Sequence, residues 1–262
     1  VSLCRVERKH NMRARRKEMK SQSKKITSIV LVFVLIVLST AVLYGCGDDD
    51  NNFETEYFRY HIYYGKDYEV VFIDGLTENG TKLKNIVIPL EIDGIPVTKY
   101  TGIATAPNVR KIIVSYNMTR INSFGGIAPG SMFVNDWPDD LKVLYVSCEY
   151  RRGMIMEPDF YIATEALESY QENIPNPTVY TFANMQYMYN YDEAPNKGVF
   201  FIDDLDVGET LEVIPETPKR EGYTFVGWYA EAECVNGISL DGYVKDDEEI
   251  VYLYAGWREN TI

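Results

Sequence analysis

The chain has 262 residues and a formal net charge of −13, but the charge is divided. Residues 1–45 carry ten Lys/Arg against two acids, which leaves the other 217 residues with 16 Lys/Arg against 37 Asp/Glu, a net of −21. So acidic a body argues against a nucleic-acid or anionic-membrane binding face, since both need clustered Lys/Arg, and a composition 46% hydrophobic and 13% aromatic excludes disorder.

The first feature along the chain is Ile29–Leu38, ten aliphatic or aromatic residues without interruption, preceded by Lys20, Lys24 and Lys25. A basic start, a short apolar core and a small-residue end predict a secretory signal peptide over residues 1–45. Val1–Glu18 stands ahead of an ordinary start at Met19 and reads as an upstream extension or a long basic region. The alternative is an uncleaved anchor, because Ile26–Tyr44 just spans a bilayer. The segment ends in Leu43-Tyr44-Gly45-Cys46, which resembles the lipobox of bacterial lipoproteins, with Tyr44 replacing the usual small residue. That resemblance implies a lipidated Cys46 thiol, cleavage before it, and a protein held on the cell membrane facing the extracellular side. The membrane would then be a partner through the lipid anchor, with residues 46–56 as a polar tether.

Next comes a tract of similar strands: Leu83–Pro89, Val109–Ser115 and Leu141–Ser147. Their leading residues are 26 and 32 apart, and self-similarity at that spacing predicts a solenoid with one short strand per coil. Alternation then puts Ile86/Ile88, Ile112/Val114 and Leu144/Val146 on one face. Tyr68–Ile73 reads as an edge strand, closed by a turn at Asp74-Gly75. With Ile88-Pro89, Gly94–Thr98 and Met118–Phe124 between them, these strands resemble leucine-rich repeats of the BspA type, although later coils depart from that pattern. A generic β-meander is the competing reading. Thr164–Asn173, with Thr164 as N-cap, predicts a short helix that closes the array. The proline-rich residues 173–178 read as a linker. The whole domain is set at 57–178.

The C-terminal part, 186–262, carries the most specific signature. Tyr187–Tyr191 and Val199–Ile202 look like strands, and Gly208-Glu-Thr-Leu211 precedes a Pro-x-x-Pro loop. Gly222-Tyr-Thr-Phe-Val-Gly-Trp-Tyr229 follows, and Leu253-Tyr-Ala-Gly-Trp257 closes it. Alternation sets Tyr223, Phe225 and Tyr229 against Thr224, Val226 and Trp228. These residues resemble the internalin-type B repeat (the Listeria–Bacteroides repeat), which implies a small β-grasp-like spacer or binding module. The fold class is therefore mainly β: a short leucine-rich-repeat β-solenoid followed by a small β-grasp-like module.

Chemistry is sparse. The body has one histidine, His61, which excludes multi-histidine metal sites, and no Gly-rich phosphate loop or Gly-x-Ser-x-Gly elbow is present. Cys148 and Cys234 are expected to be unpaired, and neither has a catalytic signature around it. Asp203-Asp204-Leu205-Asp206 and Asp246–Glu249 lack Ca²⁺-loop spacing and read as solvated surface. Asn79-Gly-Thr81 and Asn117-Met-Thr119 fit a glycosylation sequon that a bacterial lipoprotein leaves unused. Catalytic residues, metal and cofactor are therefore all expected to be none. The expected function is a lipid-anchored binding or adhesion protein for an extracellular protein or glycan. Tyr60, Tyr63, Tyr229, Trp228 and Trp257 are its candidate contacts, and core packing is the favoured alternative for the two tryptophans. A cell-envelope glycan or peptide hydrolase and a passive spacer are the competing readings.

Overall fold

A computed structural model describes residues 52–100, 108–121, 140–151, 160–174 and 180–261, all within one compact unit, Leu35–Ile262. The leader, Cys46, the tether up to Asn51, Phe124 and residues 175–178 of the expected linker lie outside the described residues. Among the described residues no helix is long and apolar enough to cross a membrane.

The protein is mainly β, with one short α-helix among the described residues. The N-terminal part supplies β1 (Asn52–Glu54), β2 (Phe58–Tyr64), β3 (Glu69–Leu76), β4 (Asn85–Val87), β5 (Glu91–Ile92) and β6 (Ile95–Tyr100). It continues with β7 (Lys111–Val114), β8 (Arg120–Ile121), β9 (Lys142–Tyr145), β10 (Phe160–Ile162), helix α1 (Leu167–Asn173) and β11 (Thr181–Phe182). The C-terminal part supplies β12 (Met185–Met188), β13 (Val199–Asp203), β14 (Tyr223–Tyr229), β15 (Gly237–Ile238) and β16 (Val251–Glu259).

Three sheets result. The first runs β1-β2-β3-β6-β5, with β8 paired to β6. β1, β2 and β3 form an antiparallel meander, while β3, β6 and β8 are parallel. β3 therefore lies inside the sheet and not at its edge, and Asp74-Gly75 belongs to the strand and makes no turn. Pairing continues through this dipeptide because a bulge between Arg59 and Tyr60 absorbs the irregularity. On the inner face Tyr60, Val71, Ile73, Val97 and Tyr100 are buried. Each such aliphatic side chain contributes roughly 1.5–3 kcal/mol when taken out of water.

The second sheet, β11-β10-β9-β7-β4, is wholly parallel. Its first step keeps the 26-residue repeat, with Ile86 beside Ile112. The next step does not keep the spacing of 32, because Ile112 pairs with Val143 and Val114 with Tyr145. Leu144 and Val146 thus share a face with Ile113, opposite to the one expected. A strand buried on both faces reads as a continuous apolar run, so its periodicity cannot fix a one-residue register. All four residues of β7 are buried. The hydrogen bonds from Lys142 N to Arg110 O (2.8 Å) and from Val146 N to Val114 O (3.0 Å) set the register.

The helix does not close this sheet. It lies between β10 and β11, which add two further strands. Thr164 begins a 3-10 turn that leads into α1, and its hydroxyl faces Gln186 Oε1 at 3.0 Å and gives no helix cap. Buried Tyr170 joins α1 to the sheet, stacked on Phe160 at 6.5 Å.

The third sheet runs β13-β12-β16-β14-β15, with β12 and β16 parallel and the other neighbours antiparallel. The pairing of β14 with β16 shifts between Phe225 and Gly227, leaving Val226 without a partner. Gly227 has φ +145, a conformation open to glycine. The extra residue inverts the alternation, so Trp228 joins Phe225 on the inner face (ring centroids 5.2 Å apart) and packs on Tyr187 at 5.1 Å. Tyr229 and Val226 cover Gly256 on the other face, where a Cβ would overlap the Tyr229 ring.

Only Ala183 and Asn184 separate the second sheet from the third. Asn184 closes this junction: its Nδ2 donates to Leu205 O (2.7 Å), and its Oδ1 accepts from Leu205 N (3.0 Å). The two parts meet along one row of the second sheet, Asn85, Lys111 and Lys142, which the register aligns. Lys111 Nζ donates to Asp203 Oδ1 at 2.6 Å with both side chains buried. Lys142 Nζ reaches Asp204 at 2.8 Å and Asp206 at 2.9 Å, and Asn85 donates to Glu212 at 2.9 Å. Asp203 and Asp204 are therefore buried interface groups and not solvated surface. Their partners lie 92 and 62 residues away, so no local pattern marks them.

Burial pushes the Asp203 carboxyl up to about 6, against the lowering effect of Lys111 and of the Asp204 N–H. The folded value exceeds the ordinary 3.8, so the folded chain holds this proton more tightly. Asp203's contribution to stability is therefore full at low pH and is lost as pH rises through about 6. Carbon-13 NMR should give its carboxyl a midpoint near 6, whereas a midpoint at 4 or below would contradict this burial. Lys111→Met or Asp203→Leu alone leaves one buried charge unmatched and should cost about 3–5 kcal/mol in urea unfolding at pH 7. The double variant should recover most of that loss, because it buries no charge.

Candidate functional site

Strand alternation sends Tyr60 and Ile62 inward from β2 and His61 and Tyr63 outward. On β3 the outward residues are Val70, Phe72 and Asp74, and register sets Phe72 between His61 and Lys99 of β6. An aromatic strip therefore crosses the outer face of the first sheet. The Tyr63 and Phe72 rings are nearly parallel (7°) with centroids 5.4 Å apart. Tyr68 lies 6.2 Å from Tyr63, and His61 meets Phe72 edge-on at 5.3 Å. Tyr63 is 46% and Tyr68 58% exposed, so these large rings face water.

Polar groups border the strip. His61 Nδ1 and Asp74 Oδ2 are 2.6 Å apart, and the Lys99 ammonium stands 5.1 Å from the Phe72 ring centre. Ring contacts of this kind are each worth about 0.5–1.5 kcal/mol and hold the rings in place. Flat apolar faces bordered by a carboxylate, an imidazole and an ammonium can stack on the C–H face of a ligand while binding its hydroxyl or carbonyl groups.

The five expected contact residues divide. Tyr63 lies in the strip. Tyr60 is buried and stacked on Phe53 at 5.5 Å. Trp228 is buried in the third sheet's core, as the core-packing alternative had it. Trp257 is half-buried, and its indole N–H donates to Tyr189 O at 2.6 Å. Arg220 occupies the neighbouring aromatic surface, 3.7 Å from the Tyr223 ring centre and 4.5 Å from that of Tyr191. Tyr229 is half-buried over Gly256. Tyr68, Phe72, Asp74 and Lys99 were not anticipated as contacts. Their signal in the sequence is the period-two spacing of Tyr68, Val70 and Phe72, which marks one face of β3 only once its pairing with β2 and β6 is known.

Cys148 and Cys234 are free. Burial pushes the Cys148 thiol up to about 12, which keeps it protonated and unreactive. No group of three or more His, Cys, Asp or Glu able to hold a metal ion occurs among the described residues. The Asn117 side chain is engaged in the fold, donating to Leu90 O at 3.0 Å.

Residues 187–255 match the family model of the Listeria-Bacteroides repeat domain, so the C-terminal sheet is such a repeat. Neither the curated proteins nor the solved structures give a match to the chain.

Proposed function

We propose that this is a non-enzymatic, lipid-anchored surface protein that binds an extracellular glycan or protein through the outer strip of its first sheet. The observation that carries the reading is the solvent-facing stack of Tyr63 on Phe72, flanked by Tyr68 and Lys99. Contiguous exposed aromatic surface is costly to keep in water unless something covers it. A sugar ring suits this strip best, because its C–H face fits flat rings and its hydroxyls fit His61, Asp74 and Lys99.

In this reading the first part is a degenerate leucine-rich-repeat solenoid. The wholly parallel second sheet and the parallel steps from β3 through β6 to β8 support it. The third sheet is a β-grasp-like module; numbered within the module, its strand order 2-1-5-3-4 supports that assignment. Its connection from β13 to β14 is extended and proline-rich, without a helix. The lipobox-like Leu43–Cys46 and the acidic tether behind it hold the body on the outer face of the membrane.

Two measurements on the full chain test this. Radioactive fatty acid should label the wild type and not Cys46→Ala; label on that variant would contradict the anchor. A glycan array should give binding that Tyr63→Ala or Phe72→Ala weakens about tenfold, the worth of one lost ring contact. Binding indifferent to both substitutions would rule the strip out.

A further inference from the structure

A cavity lies where the two parts meet, and it is independent of the outer strip. Its volume is about 260 Å³. Val87 and Ile113 of the second sheet, Phe200 and Phe201 of β13, and Val213 and Ile214 supply its apolar lining. The charged residues that line it are Lys84, Glu212 and Glu216. Glu212 is already engaged by Asn85, whereas Glu216 makes no hydrogen bond to a described residue; burial of its carboxyl raises its pKa, and the nearby Lys219 lowers it in part. Lys219, three residues on, is paired with Glu91.

We infer that this cavity is a binding site for a small organic amine with an aromatic or branched aliphatic body, its ammonium held by Glu216. Size sets the body. A cavity of about 150 Å³ takes benzene and drug-sized ligands need about 300–1,000 Å³, so this one suits a bicyclic ring or its equivalent. The lining sets the polarity, because a site walled by hydrocarbon and phenyl rings rejects a polar body that it cannot hydrogen-bond. Charge sets the head group. Two carboxylates against one ammonium make the mouth negative, and the body around it carries 37 acids against 16 bases. Both conditions repel an anionic head group and draw in a cation. Because the walls come from both parts, a bound amine also strengthens their docking.

The test uses the full chain in lipid nanodiscs, with empty nanodiscs as the blank, and three probes that share one ring system: tryptamine, indole and indole-3-acetate. Equilibrium dialysis should rank them in that order. Glu216→Gln should weaken tryptamine about tenfold, the worth of one charge-assisted hydrogen bond, and leave indole unchanged. Glu216→Lys, in a chain shown to be folded by circular dichroism, should invert the ranking of tryptamine and indole-3-acetate. Val87→Trp fills the space and should abolish binding of all three. The inference is overturned if no probe binds, if the three bind alike, if the ranking survives Glu216→Lys, or if a folded Val87→Trp chain still binds tryptamine. None of these outcomes touches the strip, since Tyr63 and Phe72 do not line this cavity.

Discussion

A lysine on a strand buried on both faces must meet an acceptor, and for Lys111 that acceptor is Asp203, 92 residues further on. This demand governs how the N-terminal sheets and the C-terminal repeat fit together. Lys142 and Asn85 occupy the same row of the second sheet and find Asp204, Asp206 and Glu212 in the same way. Removing two charges from water is expensive, so the central pair adds little net stability and instead penalises every misaligned docking. One Asp203 oxygen takes both the lysine and the Asp204 N–H, while the other finds no partner among the described residues. Burial is what pushes the carboxyl up to about 6, and the lowering effects of Lys111 and of the Asp204 N–H only partly offset it.

The docking has consequences on both sides. It covers the face of the second sheet that bears Ile113 and Leu144, which is why β7 has no exposed face. It also brings Val87 and Ile113 together with Phe200 and Phe201 around a space that they do not fill, and that space is the cavity. Side-chain bonds outside the charged row reinforce the fit. Tyr116 and Tyr189 hydroxyls meet at 2.8 Å, and Asn196 donates to Val146 O and accepts from Cys148 N, each at 2.7 Å. With only Ala183 and Asn184 between the sheets, the chain has little freedom to separate them.

Much of this was legible in the sequence where the physics is local. The aromatic alternation of Tyr223–Tyr229, the apolar run at Val251 and the strands at 187 and 199 announce the C-terminal sheet, and the family match agrees over residues 187–255. The Leu83, Val109 and Leu141 strands announce the parallel sheet. What stayed hidden depends on distant neighbours or on a single inserted residue. The unpaired Val226 puts Trp228 on the same face as Phe225, where plain alternation sets them on opposite faces. One residue of slip exchanges Leu144 for Val143. Phe160–Ile162 is too short to signal a strand, yet it prevents α1 from closing the sheet. Asp203 looks like part of an ordinary acidic turn until Lys111 is placed beside it. Within the Tyr-rich tract, Tyr60 and Tyr63 look alike, and only the pairing with β3 separates the buried ring from the exposed one.

The central claim is that the buried charge row makes the repeat and the sheets before it one cooperative body. Native-state hydrogen exchange measures this directly, because amides that open together share one free energy. The account requires the amides of β7 and β9 to exchange with the same free energy as those of β12 and β13, and Asp203→Leu to lower all four together. Exchange of β12 and β13 at a separate, lower free energy, unchanged by Asp203→Leu, would contradict it.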